Sequence, residues 1–288
     1  MRNRVRWAEL RPDEFTARLS ECPLVYLPVG LCEPHGHVAA LGLDMILADY
    51  ICDEGARRYG GIVAPTQGYH IHESGYHAQW LEETVGETNS RLGGIPPYVL
   101  CHQFLYQLRA FANAGFKAAL VITGHGGGNE RDLQTWSKAF FEKFGMPVQV
   151  LMSMELTPDH RGDHAGKYEI SALWYVRPEL VDMSLLNRQH EEGSGGRLAL
   201  GPNAGEASQE YGVTVITKAL ENLEQRVAEL RAVASEAELP PITYEPVEAL
   251  YNELCQHMDT WVTMSPRPNQ KAVSAESRWK PYERPSSK

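Results

Sequence analysis

"LVYLPVG" (residues 24–30) is an apolar run that ends at a glycine. Its β-branched residues and its terminal glycine predict a buried β-strand. Three later runs have the same character: "IVAPTQ" (62–67), "KAALVITG" (117–124) and "PVQVLMS" (147–153). Segments with helical spacing of apolar residues alternate with these runs, at 44–59, 96–115 and 129–145. This alternation predicts an α/β fold with a parallel sheet and helices on both of its faces.

The length of the chain suits one large domain or two small ones. With 288 residues, 43% of them hydrophobic and 22% charged, the chain has the composition of a globular protein with a sizeable core. Residues 217–238 predict a long amphipathic helix at the end of a domain that spans residues 1–238. Residues 239–288 predict a C-terminal extension with one helix and a flexible tail rich in Pro, Ser, Arg and Lys.

Charge and hydropathy argue against several classes of partner. The net charge of −10 is unfavourable for a protein that must neutralise nucleic-acid phosphates. No apolar run approaches the roughly 20 residues that span a bilayer, and the basic N-terminus lacks the apolar stretch of a secretory signal. The 5 cysteines are widely spaced without a C-x-x-C pair, which is typical of reduced thiols. We therefore expect a cytoplasmic protein that binds neither nucleic acid nor membrane.

Acidic and imidazole side chains cluster in three places where a strand gives way to a helix. The three segments are "EPHGHVAALGLD" (33–44), "TGHGGGNE" (123–130) and "DHRGDHAGKYEIS" (159–171). In an extended stretch, Glu33, His35 and His37 would point to the same side. The carboxyl ends of parallel strands meet at one edge of a sheet, so we expect the three clusters to converge there. His, Asp and Glu without thiolates suit a catalytic site for Zn²⁺, Mn²⁺ or Fe²⁺.

Each segment alone also has an ordinary structural interpretation. A single histidine or glutamate of the first segment could be a solvated loop residue, and Asp44 could be the N-cap of the following helix. "GHGGGN" could be a phosphate-binding turn or a plain glycine-rich loop, and His160, Asp163 and His164 of the third segment could lie in a solvated loop. The occurrence of all three clusters at three strand ends favours a shared site.

Together, "LPVGLCEPHGHVAALGLD", "GHGGGN" and "HAGKYEIS" resemble the creatininase (creatinine amidohydrolase) family. That family carries a G-x-x-E-x-H-G stretch with an Asp eleven residues after the Glu, a glycine-rich histidine loop, and an H-A-G-x-x-E box. The order of the three motifs matches, and so does the spacing from Glu33 to Asp44. The resemblance covers residues 24–182. It implies a three-layer α/β sandwich with a mostly parallel central sheet flanked by helices, with residues 1–238 as a creatininase-like metal-dependent hydrolase domain.

The resemblance also implies a site for two divalent metal ions per chain, Zn, Mn or Fe. By their positions in the motifs, Glu33 and His125 would bind one ion and His35 the other. Asp44 would bridge the two ions, and Glu169 would complete the second site. The family usually assembles as a hexamer, so the resemblance implies a homo-oligomer.

Two metal ions of this kind bridge a water molecule and lower its pKa, and the resulting hydroxide can attack a carbonyl group. The leaving group then needs a proton, which His164 could supply from the loop before the helix that carries Glu169. We take His164 and Glu169 as candidate catalytic residues. This machinery fits an amidohydrolase that cleaves a C–N bond of a small cyclic amide or formamide.

The segment at residues 70–90, "HIHESGYHAQWLEETVGETNS", departs from the family pattern. It offers His72, Glu73, His77 and Trp80 as candidate substrate-binding residues, with specificity shifted away from creatinine. A solvated lid without direct contacts is the alternative interpretation. The glycine-rich loop departs as well, since it has one glycine more than usual before Asn129, our fifth candidate substrate-binding residue.

Two other enzyme classes require motifs that the sequence lacks. A serine esterase with an HGGG oxyanion hole needs a G-x-S-x-G elbow, and a Rossmann dehydrogenase needs G-x-G-x-x-G after the first strand; the sequence has neither. Two alternatives stay open. One is a hydrolase that opens a cyclic polyol-derived diketone, as in inositol-type catabolism. The other is a non-catalytic protein that binds a small molecule on the same fold.

Overall fold

The computed structural model describes residues 4–72, 75–81, 91–234, 239–266, 269–271 and 273–277. Within them, the strands are β1 (Leu24–Val29), β2 (Ile62–Val63), β3 (Ala118–Thr123) and β4 (Val148–Met152). The α-helices are α1 (Pro12–Glu21), α2 (Leu43–Tyr59), α3 (Gly75–Trp80), α4 (Pro97–Asn113), α5 (Asn129–Phe144), α6 (Lys167–Val176), α7 (Gln209–Ala234) and α8 (Tyr244–Cys255). None of these helices is long and apolar enough to cross a membrane.

The four strands form one parallel sheet in the order β2-β1-β3-β4. β1 and β3 pair along their whole length, from Leu24 opposite Ala118 to Val29 opposite Thr123. The carboxyl ends of these two central strands therefore lie side by side. The loops that follow them start from the same point of the sheet edge.

Strand residues alternate between two apolar cores. On β1, Leu24 and Tyr26 belong to the core that α2, α6 and α7 cover. Val25 and Leu27 belong to the core on the other face, which α4, α5 and α8 cover. All six residues of β1 are buried, as expected of a strand covered on both faces. The prediction of a three-layer α/β sandwich with a parallel central sheet is confirmed.

Two predicted elements differ in extent from those observed. The strand predicted at 62–67 is regular only over Ile62–Val63, because Pro65 has no N–H to donate. The chain rejoins β1 at Gln67, whose N–H donates to Pro28 at 2.9 Å. α7 begins at Gln209, before the predicted start at residue 217, and Gly212 brings this first turn against Ser171 of α6.

The segment after residue 238 packs on the same core as the preceding helices. Val247 and Leu250 of α8 are buried in the apolar cluster that contains α4. Beyond α8, the carboxylate of Asp132 accepts hydrogen bonds from the N–H groups of Val262 and Thr263, at 2.8 and 3.0 Å. The division of the chain at residue 238 stays a prediction.

Candidate metal centre

The chain leaving β1 supplies the first two polar groups of the site. Glu33 and His35 are buried just beyond the end of the strand. The predicted extended course does not continue to His37, because Gly36 adopts a φ of 67° and turns the chain. Among the described residues, the groups of side chains that could hold a cation include Glu33 and His35 and leave out His37.

Asp44 lies in the first turn of α2, next to the carboxyl ends of β1 and β3. A β-carbon on Gly30 would stand 2.7 Å from the Met45 nitrogen, and one on Gly124 would stand 2.1 Å from the Asp44 carbonyl oxygen. Glycines at the two strand ends therefore allow the helix to start against the sheet. The N-cap interpretation of Asp44 is wrong, since the N-cap is Gly42 and neither carboxylate oxygen has a hydrogen-bond partner.

The carboxylate of Asp44 lies between two imidazole rings. Its Oδ1 is 3.2 Å from Nε2 of His35, and its Oδ2 is 3.3 Å from Nδ1 of His125. The side chain is 1% exposed. A buried carboxylate without hydrogen bonds is costly, and a cation near each oxygen would compensate that cost.

His125 is held by the turn that follows β3. The Thr123 hydroxyl donates to the His125 carbonyl at 2.8 Å and accepts from the His125 N–H at 3.2 Å. The Nδ1 atom of His125 lies 2.9 Å from Oε1 of Glu33. The ends of β1 and β3 thus bring one carboxylate and one imidazole together, as the convergence of the sequence clusters predicts.

The ring of His35 is oriented by its own segment of backbone. Its Nδ1 lies 3.1 Å from the carbonyl oxygen of Glu33, which can only accept a hydrogen bond. In the neutral ring the proton is therefore on Nδ1, and the lone pair of Nε2 faces Asp44. Metal-binding histidines commonly have their second nitrogen fixed in this way.

Glu169 reaches the same place from α6. It lies in the first turn of the helix, and His164 lies in the preceding loop, both as predicted. The Ala165 N–H donates to Oε2 of Glu169 at 2.7 Å, and this oxygen is 3.5 Å from Nε2 of His35. Asp163 closes the loop by accepting hydrogen bonds from backbone N–H groups at the start of α6.

The crowding of these groups shifts their pKa values. Burial alone would lower the pKa of His35, but the attraction of Asp44 and the other carboxylates raises it to about 9. Burial raises the pKa of Glu169 to about 8, against the opposing charge of His35. Burial would raise the pKa of Glu33, but the charge of His125 and the hydrogen bonds from His125 and His72 hold it well below its usual range. Without a cation, these pKa values favour a proton on Glu169 and a positive charge on His35 at neutral pH.

Three groups of described residues could each hold a cation, and within each group the ligand atoms lie within 4.8 Å of one another. These are Glu33, His35 and His164; Glu33, His72 and His125; and His35, Asp44 and Glu169. Their donors are carboxylate oxygens and imidazole nitrogens, the set that suits Zn²⁺, Mn²⁺ and Fe²⁺. Because the oxygens of Asp44 and Nε2 of His35 have no hydrogen-bond partner, the site fits divalent cations on chemical grounds.

A cavity of about 630 Å³ opens above these groups. This volume is within the usual range for small-molecule sites. Among the predicted substrate-binding residues, His72, His77 and Trp80 line it. His164 lines it as well, with 43% of its side chain exposed.

Two of the predicted substrate-binding residues are not placed in the cavity wall. Glu73 lies outside the described residues. Asn129 is fully buried, and its amide donates to the Gly126 carbonyl, so it supports the glycine-rich loop from behind. It is not among the described residues that line the cavity.

Several lining residues were not identified from the sequence. They are mostly apolar or neutral, and they include Gln79, Met152, Met154, Leu198, Leu200 and Gln270. Met152 ends β4 and Met154 follows it, so the end of this fourth strand was a usable signal. The sequence around Gln270 contains no motif that indicates a return of the chain to the site.

Comparison with known proteins is consistent with this geometry. The family model for creatininase, described as creatinine amidohydrolase, matches residues 8–227. A creatinine amidohydrolase of Pseudomonas putida is 36% identical over 121 residues, 41% of this chain and 43% of that protein. A 3-dehydro-scyllo-inosose hydrolase of Thermotoga maritima is 28% identical over 109 residues, 38% of this chain and 32% of that protein. The chain thus aligns with less than half the length of either curated relative.

Solved structures support the same assignment of the fold. A crystal structure of creatinine amidohydrolase superposes with a TM-score of 0.64 at 20% identity, covering 79% of this chain and 98% of that one. Two further creatininase structures with TM-scores of 0.63 and 0.61 are described as a Mn form and as a variant of Zn–Zn type. The family match spans most of the chain and includes all three sequence motifs. The chain therefore belongs to the creatininase family.

Proposed function

We propose that this chain is a divalent-metal-dependent hydrolase that cleaves a C–N bond of a small cyclic amide or formamide. The observation that carries the proposal is the position of Asp44, a buried carboxylate whose two oxygens face His35 and His125 on opposite sides. Such a carboxylate has the placement needed to bridge two cations. Membership of the creatininase family and the metal descriptions of its solved members support the same interpretation.

The residues divide into two cation positions that share Asp44. The first position would be held by Glu33 and His125, and the second by His35 and Glu169. When bound, a pair of Zn²⁺, Mn²⁺ or Fe²⁺ ions supplies Lewis acidity and lowers the pKa of water towards neutrality. Burial of all five ligand side chains keeps bulk water from competing for them.

His164 would transfer a proton from the attacking water to the leaving nitrogen. Its ring lines the cavity with Nδ1 3.7 Å from Oε1 of Glu33, so it lies next to the ligands and faces the substrate space. Burial lowers the pKa of His164, which favours a neutral ring near neutral pH. A neutral imidazole can take the proton lost by water as it adds to the carbonyl, and can then donate that proton to the leaving nitrogen.

A second candidate function is the opening of a cyclic polyol-derived diketone by water. It is favoured by the match to the inosose hydrolase and by the polar groups that His77 and Gln79 bring to the cavity wall. Both reactions begin with water adding to a carbonyl group. The same proposal includes a small-molecule substrate, a cytoplasmic location and assembly as a homo-oligomer, a hexamer by analogy with the family.

The test is hydrolysis by protein that has been stripped with a chelator and then reconstituted with Zn²⁺ or Mn²⁺. Cyclic amides, formamides and inosose-type ketones are offered in parallel, with product formation followed by mass spectrometry. The proposal predicts turnover of one substrate class only after metal is returned. Metal binding with no turnover of either class, together with tight binding of an intact small molecule, would favour the non-catalytic alternative.

A further inference from the structure

His72 lies within hydrogen-bonding distance of Glu33, one of the proposed metal ligands. Its Nε2 is 2.8 Å from Oε2 of Glu33. The other oxygen of Glu33, Oε1, is 2.9 Å from Nδ1 of His125. The two carboxylate oxygens of Glu33 therefore each face a different imidazole. His72 is 3% exposed and still lines the cavity.

We propose that His72 is an additional protein ligand of the first cation position, so that this position has two imidazole nitrogens and the second position has one. The inference rests on the proposed two-cation site, and it assigns His72 to the metal instead of the substrate. The ligand atoms of Glu33, His72 and His125 all lie within 4.8 Å of one another, so one cation can reach all three.

Ring stacking holds His72 in this orientation. Its ring stacks on that of His125 with centroids 5.3 Å apart and on that of His77 with centroids 4.6 Å apart. The interplanar angles are 26° and 18°. The rings of His77 and His125, whose centroids are themselves 5.8 Å apart, hold the His72 ring with its Nε2 directed at Glu33. This arrangement preorganises a nitrogen donor before a cation arrives.

The additional nitrogen makes the two positions chemically unequal. The first position would combine His72 and His125 with two carboxylates, whereas the second combines His35 with two carboxylates. Imidazole-rich sites favour Zn²⁺ or Fe²⁺, and carboxylate-rich sites accept Mn²⁺ more readily. We expect the first position to retain its cation longest when a chelator is added.

The competing role for His72 is that of a positioning residue whose Nε2–H donates to Glu33. Two substitutions separate the roles. His72→Gln keeps a side-chain N–H donor and loses the imidazole ligand, whereas His72→Glu keeps a metal ligand and cannot donate when ionised. His77→Gln and His77→Glu are the matched controls, because His77 shares the ring stack and lies outside the ligand groups of the described residues.

The measurement is Zn²⁺ affinity by chelator competition, with the visible absorption of the Co²⁺-loaded protein as a second readout. A ligand role predicts that His72→Gln weakens the tighter site by more than the ~10–100-fold typical of an outer hydrogen-bonding partner. It also predicts a changed Co²⁺ spectrum, and tighter binding by His72→Glu than by His72→Gln. Both His77 variants should keep the Co²⁺ spectrum of the unmodified protein and weaken Zn²⁺ binding by less than His72→Gln does, because they remove a stacking partner and no ligand.

The opposite order of affinities, with His72→Gln above His72→Glu and an unchanged Co²⁺ spectrum, would overturn the ligand role and leave the two-cation site intact. A protein that binds no Zn²⁺ or Co²⁺ even before substitution would instead overturn the proposed function together with this inference. A circular dichroism spectrum of each variant shows that the comparison is made between folded proteins.

Discussion

Gly124 lies so close to Asp44 that a β-carbon on the glycine would stand 2.1 Å from the Asp44 carbonyl oxygen. The glycine directly follows β3 and the aspartate lies in the first turn of α2, so the contact joins the sheet edge to the proposed bridging ligand. The atom that would be displaced belongs to backbone, which cannot rotate away. The position of the carboxylate therefore depends on a residue without a side chain.

Substitution of Gly124 by Ala is expected to move α2 and the Asp44 carboxylate. Overpacking of this kind costs about 1–3 kcal/mol of the free energy of unfolding. We expect a lower melting temperature and weaker binding of both cations. Gly205→Ala is the control, because no atom lies within 4 Å of its added β-carbon. Equal metal content and melting temperature in the two variants would contradict the prediction.

Replacement of His164 by Asn is expected to separate proton transfer from metal binding. If His164 moves a proton and does not hold a cation, the variant keeps the metal content of the unmodified protein. Its kcat should fall by about 10²–10⁴-fold, the usual contribution of a positioned acid–base group. The checks are elemental analysis and steady-state kinetics on the substrate found by the screen. A loss of one cation per chain would make His164 a ligand instead.

Cation binding should release protons at neutral pH. In the metal-free protein the pKa of His35 is about 9 and that of Glu169 about 8, so both groups are largely protonated at pH 7. Ligands must lose these protons to bind a cation. Apparent affinity should therefore rise with pH and level off once the pH exceeds 9. Titration calorimetry in buffers of different ionisation enthalpy measures the release, and a release of zero at pH 7 would refute the assigned protonation.

The segment after α8 is expected to influence substrate binding through Asp132. This buried carboxylate holds Val262 and Thr263, and further along Gln270 lines the cavity. Asp132→Ala removes hydrogen bonds to a charged group, each with a contribution of about 1.5–3 kcal/mol to stability. We expect a lower melting temperature and a higher KM, with metal content unchanged.

Two further variants give the controls for that prediction. Gln270→Ala should raise KM without a change in melting temperature, because it alters the cavity wall alone. Glu142→Ala, on the exposed side of α5, should change neither quantity. An unchanged KM in both Asp132→Ala and Gln270→Ala would exclude a role of this segment in substrate binding.

Much of the fold could be predicted from the sequence because its signals are local. The runs at 24–30 and 117–124 each contain a nearly continuous apolar stretch, as a strand covered on both faces requires. The convergence of Glu33, Asp44 and His125 followed from the rule that parallel strands end at the same edge. These predictions needed only the type and order of the elements.

The remaining features depend on contacts between distant segments. The sequence places His72 in an unusual loop, but only the fold shows that its Nε2 faces Glu33. Asn129 follows the glycine-rich loop in sequence and yet lies behind it, since helix α5 starts at that residue. Gln270 lines the cavity, and Val273, three residues further along the chain, packs against the apolar cluster of Ala78 in α3 and Leu81. No spacing rule predicts a return of the chain over such a separation.

The most direct test of the account is the metal content of Asp44→Asn beside the unmodified protein, both loaded with Zn²⁺ and freed of loose ions. Asn keeps the size of the side chain and loses the charge that two cations would share. We predict about two Zn²⁺ per chain in the unmodified protein, as in other two-metal hydrolases, and at most about one in the folded variant. Equal metal content in the two proteins, or none in either, would contradict a cation pair bridged by Asp44.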